Sequence, residues 1–210
     1  MRPRFLTTAL LLIAAAGARA QTVEITPLVG YRIGGSLSTA AETGSSASVV
    51  EYEVKDSGSF GVHLGFGVAD DGEIELLYSR QNTRLETDGL FTGEPLFDLT
   101  LETWQAGGNY LFGEEGSRLR PYIGVGLGVT RLLPGPAPLQ DETRFCASFA
   151  GGVKVWLGRH LGLRLEARGF FTVLESDSDS FCGSGEGCLI HLRGSDIDQG
   201  EFRAGLVLRF

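Results

Sequence analysis

The sequence predicts an all-β fold, an eight-stranded antiparallel up-and-down transmembrane β-barrel, and three observations predict it. Eight segments alternate apolar and polar residues with the period of a strand. The connections between them alternate long and short. Aromatic residues gather at the ends of the segments rather than along them. The 210 residues also include 31 glycines and a single methionine, which argues against a helical bundle.

Residues 1–20 read as a cleaved leader and 21–210 as the barrel. Arg2 and Arg4 form a basic start, Ala9 to Ala16 an apolar core, and Ala18-Arg19-Ala20 a small-residue cleavage site. The apolar run is short for a membrane anchor, and Gln21 in place of cysteine argues against a lipoprotein. Past the leader 15 basic residues face 26 acids, a net negative charge that excludes a nucleic-acid partner. No later segment reaches the ~18 consecutive apolar residues of a membrane helix, so any crossing falls to strands.

The first segment, 23–34, sets Val23, Ile25, Val29, Tyr31 and Ile33 on one face. The second, 58–69, sets Phe60, Val62, Leu64, Phe66 and Val68 against Ser59, Gly61, His63, Gly65 and Gly67. The third, 73–86, opposes Ile74, Leu76 and Tyr78 to Glu73, Glu75, Ser79 and Gln81. In the fourth, 97–112, Trp104, Ala106, Gly108, Tyr110 and Phe112 share a face. Leu99 and Leu101 fall out of phase with Trp104, which predicts either a bulge or a strand continuing above the bilayer.

The fifth, 121–132, alternates Ile123, Val125, Leu127 and Val129 with glycines and Thr130. The sixth, 144–157, places Phe145, Ala147, Phe149, Val153 and Val155 opposite Ser148, Gly152 and Lys154. The seventh, 161–175, places Leu161, Leu163, Leu165, Phe171 and Val173 opposite Arg164, Glu166 and Arg168. The eighth, 200–210, presents Phe202, Ala204, Leu206, Leu208 and Phe210. Each is about the ten residues a tilted spanning strand requires.

The long connections are 35–57, 87–96, 134–143 and 176–199, and the short ones are 70–72, 113–120 and 158–160. A Greek-key sandwich has no reason to sort loops by length, whereas a barrel in an outer membrane has short periplasmic turns and long external loops. With both ends at the periplasm, Tyr31, Phe60, Tyr78, Trp104, Phe145, Phe171 and Phe202 fall near the outer rim, and Tyr110, Phe112 and Phe210 near the inner one. Two such girdles are expected where amphipathic rings meet headgroups. Closure follows because an unpaired strand edge in hydrocarbon costs several kcal/mol.

The stretches "RPYIGVGLGVTRL", "FAGGVKVWLGRHLGLRLEARGFFTVL" and "FRAGLVLRF" resemble the small outer-membrane β-barrel family of Gram-negative bacteria, which includes the OmpA and OmpX barrels. The resemblance covers the mature chain and implies outer-membrane localisation, with lipid, lipopolysaccharide and, during biogenesis, the barrel-assembly machinery as partners. It also makes the terminal strand, with Phe202, Leu206, Leu208 and Phe210, the assembly signal. Unlike two-domain OmpA-type proteins, nothing follows the last strand, so no peptidoglycan-binding domain is expected.

The inward face collects Glu73, Glu75, Lys154, Arg164, Glu166, Arg168 and Arg203, with His63 beside them. Charges in a narrow lumen survive only if paired or wet, so one reading is a salt-bridge network and the other a gated pore lined by the same groups. Gly61, Gly65, Gly124, Gly126, Gly128, Gly152 and Gly162 on that face either leave the interior less filled than large side chains would, or serve sheet curvature and close packing, so they do not by themselves imply a channel.

No catalytic, cofactor-binding or metal site is expected. His63, His160 and His191 lack a serine at a neighbouring alternate position, so the nucleophile-and-base pair of the lipid A deacylase barrels is absent. "GVGLG" at 124–128 lies within a strand and opens no helix.

Cys182 and Cys188 sit in the last long loop and form the favoured disulfide pair. Cys146 is then the odd thiol, near the outer end of its strand and able to compete for either. The four long loops carry 13 acids against Lys55 and Arg193, so the net charge lies outside. Solvation explains this, as does divalent-cation bridging to lipopolysaccharide by 176–180 and 51–56, or an extracellular ligand held by the acidic loops. The function expected is a structural or cell-surface interaction role, with a narrow pore for ions or small solutes as the alternative and a lipid-modifying enzyme third.

Overall fold

The computed structural model describes residues 22–43, 46–87, 95–114, 116–135, 141–173, 178–182, 188–192 and 196–210. The leader reading falls on residues outside these. The strands are β1 Thr22–Ile33, β2 Ser36–Thr43, β3 Ser46–Val54, β4 Ser57–Gly67, β5 Gly72–Thr87, β6 Pro95–Leu111, β7 Leu119–Pro134, β8 Glu142–Trp156, β9 Leu161–Val173, β10 Ser178–Cys182, β11 Cys188–Leu192 and β12 Ile197–Arg209. Eight of them close on themselves in the ring order β1, β4, β5, β6, β7, β8, β9, β12, every pair antiparallel. Phe210 is the last rung of the closing seam: its N–H donates to the Val23 carbonyl at 2.8 Å, and Val23 N–H donates to Phe210 O at 3.3 Å.

Along each ring strand one face is buried and the other exposed, as in β7 and β9. The exposed face is apolar: Val29, Val125, Leu127, Phe149 and Leu165 are at least half exposed. In water a band of this size would be a large uncovered patch. Around a closed barrel it is the lipid-facing surface. The outer aromatic rim follows the strand register, with Tyr31 opposite Phe202, Tyr78 opposite Trp104, and Val129 opposite Phe145. The Tyr78 and Trp104 rings lie 4.4 Å apart.

One expectation about the upper barrel is corrected and another is decided between its two alternatives. The first and last long connections contain strands as well as loops. β2 and β3 form a hairpin whose β3 end continues onto β5, and β10 and β11 form a second hairpin that meets β2 at Leu192 and Thr39. β2, "SLSTAAET", is small and polar with no hydrophobic alternation, whereas β3 does alternate Val50, Tyr52 and Val54 with Glu51 and Glu53, a signal that reading 35–57 as a loop passes over.

The phase change at Leu99 and Leu101 is no bulge. β6 pairs with β7 without interruption from Leu99 to Leu111, and its one register shift against β5 lies higher, between Leu85 and Glu86. Leu99 and Leu101 are buried inside the barrel, in phase with Thr103 and Gln105, because the strand continues past the membrane edge. With Val54, Leu85, Phe97, Leu132 and Ile197 they form an apolar cluster at the hairpin end.

Candidate functional site

The lumen below that cluster is the candidate site, and alternation alone delivers its residues: the apolar face of each strand is claimed by lipid, so the polar face points inward. The structure places all seven predicted charges there, each at most 5% exposed. At the short-turn end Lys154 Nζ lies 2.5 Å from both Glu24 and Glu73. Asn109 Nδ2 donates to Glu73 Oε1 at 2.8 Å and Glu75 Oε2 at 3.0 Å, holding two carboxylates side by side. His63, fully buried, has Nε2 3.0 Å from Arg164 Nη1 and 3.3 Å from Glu75.

Glu166 is the hub. Its Oε2 accepts from Tyr122 Oη at 2.6 Å and from Arg164 Nη2 at 2.6 Å, and its Oε1 accepts from Arg168 Nε at 2.8 Å and Arg203 Nε at 2.7 Å. Arg168 reaches on to Glu75 at 3.0 Å, and Arg164 also lies 4.4 Å from the Tyr122 ring centroid. A second knot sits above: Arg32 donates to Glu201 at 2.7 Å and to Ser79 Oγ at 2.8 Å, while Ser59 Oγ donates to Glu201 at 2.6 Å. Arg32 stacks 4.3 Å from the Phe170 ring.

Glu24, Arg32 and Arg120 were not among the predicted lumen charges. Glu24 and Arg32 share the parity that put Ser59 and Glu73 inward on neighbouring strands, so the signal existed. It was masked by Pro27, which faces out, and Leu28, which faces in. Apart from Arg120, whose Nη2 donates to the Asp70 carbonyl at 2.7 Å, Glu24, Glu73, Glu75, Glu166 and Glu201 face Arg32, Lys154, Arg164, Arg168 and Arg203, a balanced set in which each charge has an opposite partner within 4 Å. Burying charges is costly unless they are paired and hydrogen-bonded; every member of this set is paired, while Glu75 Oε1 and the two terminal nitrogens of Arg203 are buried without a hydrogen bond.

What surrounds the inward glycines decides between an underfilled interior and close packing. A Cβ at Gly30 would lie 2.8 Å from Glu201 and Ser59, one at Gly65 2.8 Å from the Glu73 carboxyl, and one at Gly126 2.9 Å from Ser148. At Gly61, Gly128 and Gly152 it would meet the backbone of the adjacent strand. Glycine here makes room for long charged side chains and lets strands approach closely; the space it leaves is taken.

Cys146 lies inside the barrel, fully buried against Leu28, Leu77 and Phe170, with Gln105 Nε2 3.4 Å from its sulfur. It sits on the lumen face of β8 instead of at an exposed loop edge, which corrects its reading as a competitor for the loop cysteines. Cys182 and Cys188 are direct register partners across the β10–β11 hairpin. Of the acidic segments suggested for cation bridging, 176–180 includes residues outside the described set. Among the described residues no group of three or more carboxylate, histidine or cysteine side chains is arranged to hold a metal ion.

Residues 7–210 match the model of the outer membrane protein beta-barrel domain family. No curated protein matches the sequence significantly. Solved structures resemble it in fold. The outer membrane protein OprG of Pseudomonas aeruginosa is 14% identical with a TM-score of 0.67, covering 93% of this chain and 98% of its own. AlkL, studied in lipid bilayers, is 12% identical with a TM-score of 0.61 and 91% coverage of both. Neisserial surface protein A is 16% identical with a TM-score of 0.56, covering 90% of this chain and 97% of its own.

Proposed function

Because the chain belongs to the outer membrane protein beta-barrel domain family, we propose that it serves as a structural and surface-interaction barrel whose lumen is closed, with the hairpin end presented outside the cell. The observation that carries this is the Glu166 hub, where one carboxylate accepts hydrogen bonds from Tyr122, Arg164, Arg168 and Arg203 across the lumen. A permeating ion would have to break those bonds. Replacing a fixed, fully paired constellation by ion contacts strands several buried charges at once.

Above the hub the lumen carries the Arg32–Glu201 knot and then the apolar cluster around Leu99 and Leu101, which offers an ion no ligand. The same reading includes export by residues 1–20, a Cys182–Cys188 bridge fastening the outer hairpin, and a terminal strand ending at Phe210 as the signal for assembly. The acids of the long loops suit contact with the lipopolysaccharide layer or an extracellular ligand through divalent cations.

Planar-bilayer recording of the purified, folded protein tests the closed lumen. The expected result is a silent membrane at physiological salt; steady, single-size conductance steps would establish the narrow-pore alternative instead.

A further inference from the structure

The short-turn end of the barrel is electrically divided. The β4–β5 turn carries Asp70 and Asp71, whereas the β8–β9 turn, on the opposite side of the ring, carries Arg159 and His160. Backbone bonds tie the basic side into one rim: Trp156 N–H donates to Arg118 O at 2.7 Å, and Arg209 N–H donates to His160 O at 2.9 Å. These elements enclose a half-open pocket of about 530 Å³ lined by Arg118, Trp156, Arg159, His160, Arg209 and Phe210.

Arg209 is already engaged, paired with Glu24 at 2.8 Å and stacked 3.4 Å over the Trp156 ring, so it forms the floor of the pocket and seals the lumen from it. Arg118 and Arg159 are different: both are exposed, and neither has a carboxylate partner among the described residues. Leu157 lines the pocket's edge, the exposed Leu161 and Leu163 follow it on the lipid-facing surface, and Phe210, which also lines the pocket, is 71% exposed.

Two exposed guanidinium groups beside the Glu24-paired Arg209, with an apolar lip running into the hydrocarbon, complement a phosphodiester that carries acyl chains. We propose that this pocket is a binding site for a phospholipid of the periplasmic leaflet, its phosphate held by Arg118 and Arg159 and its chains lying over Leu157, Leu161 and Leu163. The acidic Asp70–Asp71 side repels the same headgroup, so the bound lipid marks one side of the barrel. This rests on the reading of the short-turn end as periplasmic, and its test does not depend on whether the lumen conducts.

The test is native mass spectrometry of the folded protein in a maltoside detergent with palmitoyl-oleoyl phosphatidylglycerol as the probe. The wild type is expected to retain one lipid, R118Q/R159Q to lower its retention about tenfold, and D70N/D71N to leave it unlowered. Inorganic phosphate at the same concentration is expected not to displace the lipid. The single variant R159Q, in an exposed turn, gives a partial loss even if the double variant folds poorly; folding is read from heat-dependent gel mobility. Undiminished retention in folded R118Q/R159Q or R159Q overturns the site, as does equal loss in D70N/D71N or full displacement by phosphate.

Discussion

The lower and upper halves of the lumen are built on opposite rules. Below, the inside is charged and the outside apolar: Glu73 and Glu75 point in from β5 while Ile74, Leu76 and Tyr78 point out. Above, the sides exchange. On β6 the inward positions become Leu101, Leu99 and Phe97, and the outward ones Glu102, Thr100 and Asp98. β5 and β7 change at the same level, to outward Arg80 and Arg84 and to outward Arg131 over inward Leu132.

The strands cross this level without losing register, so what changes is the solvent outside the wall. Where lipid surrounds the barrel, apolar side chains belong outside. Where water does, they belong in the core, as in any soluble barrel. The out-of-phase leucines of β6 are the sequence trace of the membrane boundary.

If the lower half is a charge lattice, its hub is where it breaks most severely. Glu166→Leu removes the shared acceptor of three arginines and Tyr122, and leaving buried charges without a partner costs about 3–5 kcal/mol. The expected outcome is failure to fold, or a large drop in the urea midpoint of unfolding in vesicles, whereas Glu166→Gln keeps an acceptor and loses less. A shift below about 1 kcal/mol for Glu166→Leu would mean water already screens the network.

The upper half should respond to a different injury. Leu99 is 1% exposed among Leu85, Leu101 and Ile197, so Leu99→Ala opens a cavity at a cost of about 2–4 kcal/mol. The same unfolding assay reads it. A neutral result would show the mouth to be wet and the cluster not to be a core.

These contrasts also explain what the sequence made legible. The eight spanning strands were visible because lipid enforces apolar alternation on every one of them, and the inward charges followed from parity at Glu73, Lys154, Arg164 and Arg203. The upper core was not, because Val54, Phe97, Leu132 and Ile197 come from four separated segments and meet only after closure. The partnering inside the lumen was equally hidden. Lys154 bridges Glu24 and Glu73 from β1 and β5, strands that lie across the ring from β8, and no local spacing encodes that pairing.

The smallest effect is expected at the boundary itself. Arg80, Glu102 and Arg131 are register partners in one outward row, directly above the row of Tyr78, Trp104 and Val129. Glu102 lies 3.2 Å from Arg80 and 3.7 Å from Arg131. Both arginines are exposed and Glu102 is only part-buried, and pairs near the surface contribute little, so Glu102→Ala should change stability by about 1 kcal/mol or less. Its row nonetheless sets where hydrocarbon ends, because charged side chains resist entry into it. Replacing Glu102 and Arg131 together by leucine extends the apolar band by one row on this side of the barrel. In a Trp156→Phe background, which leaves Trp104 as the reporter, its emission should then shift to the blue as the ring settles deeper in the bilayer, with the unfolding midpoint nearly unchanged. An unshifted emission would place the boundary elsewhere and detach the phase change on β6 from the membrane edge.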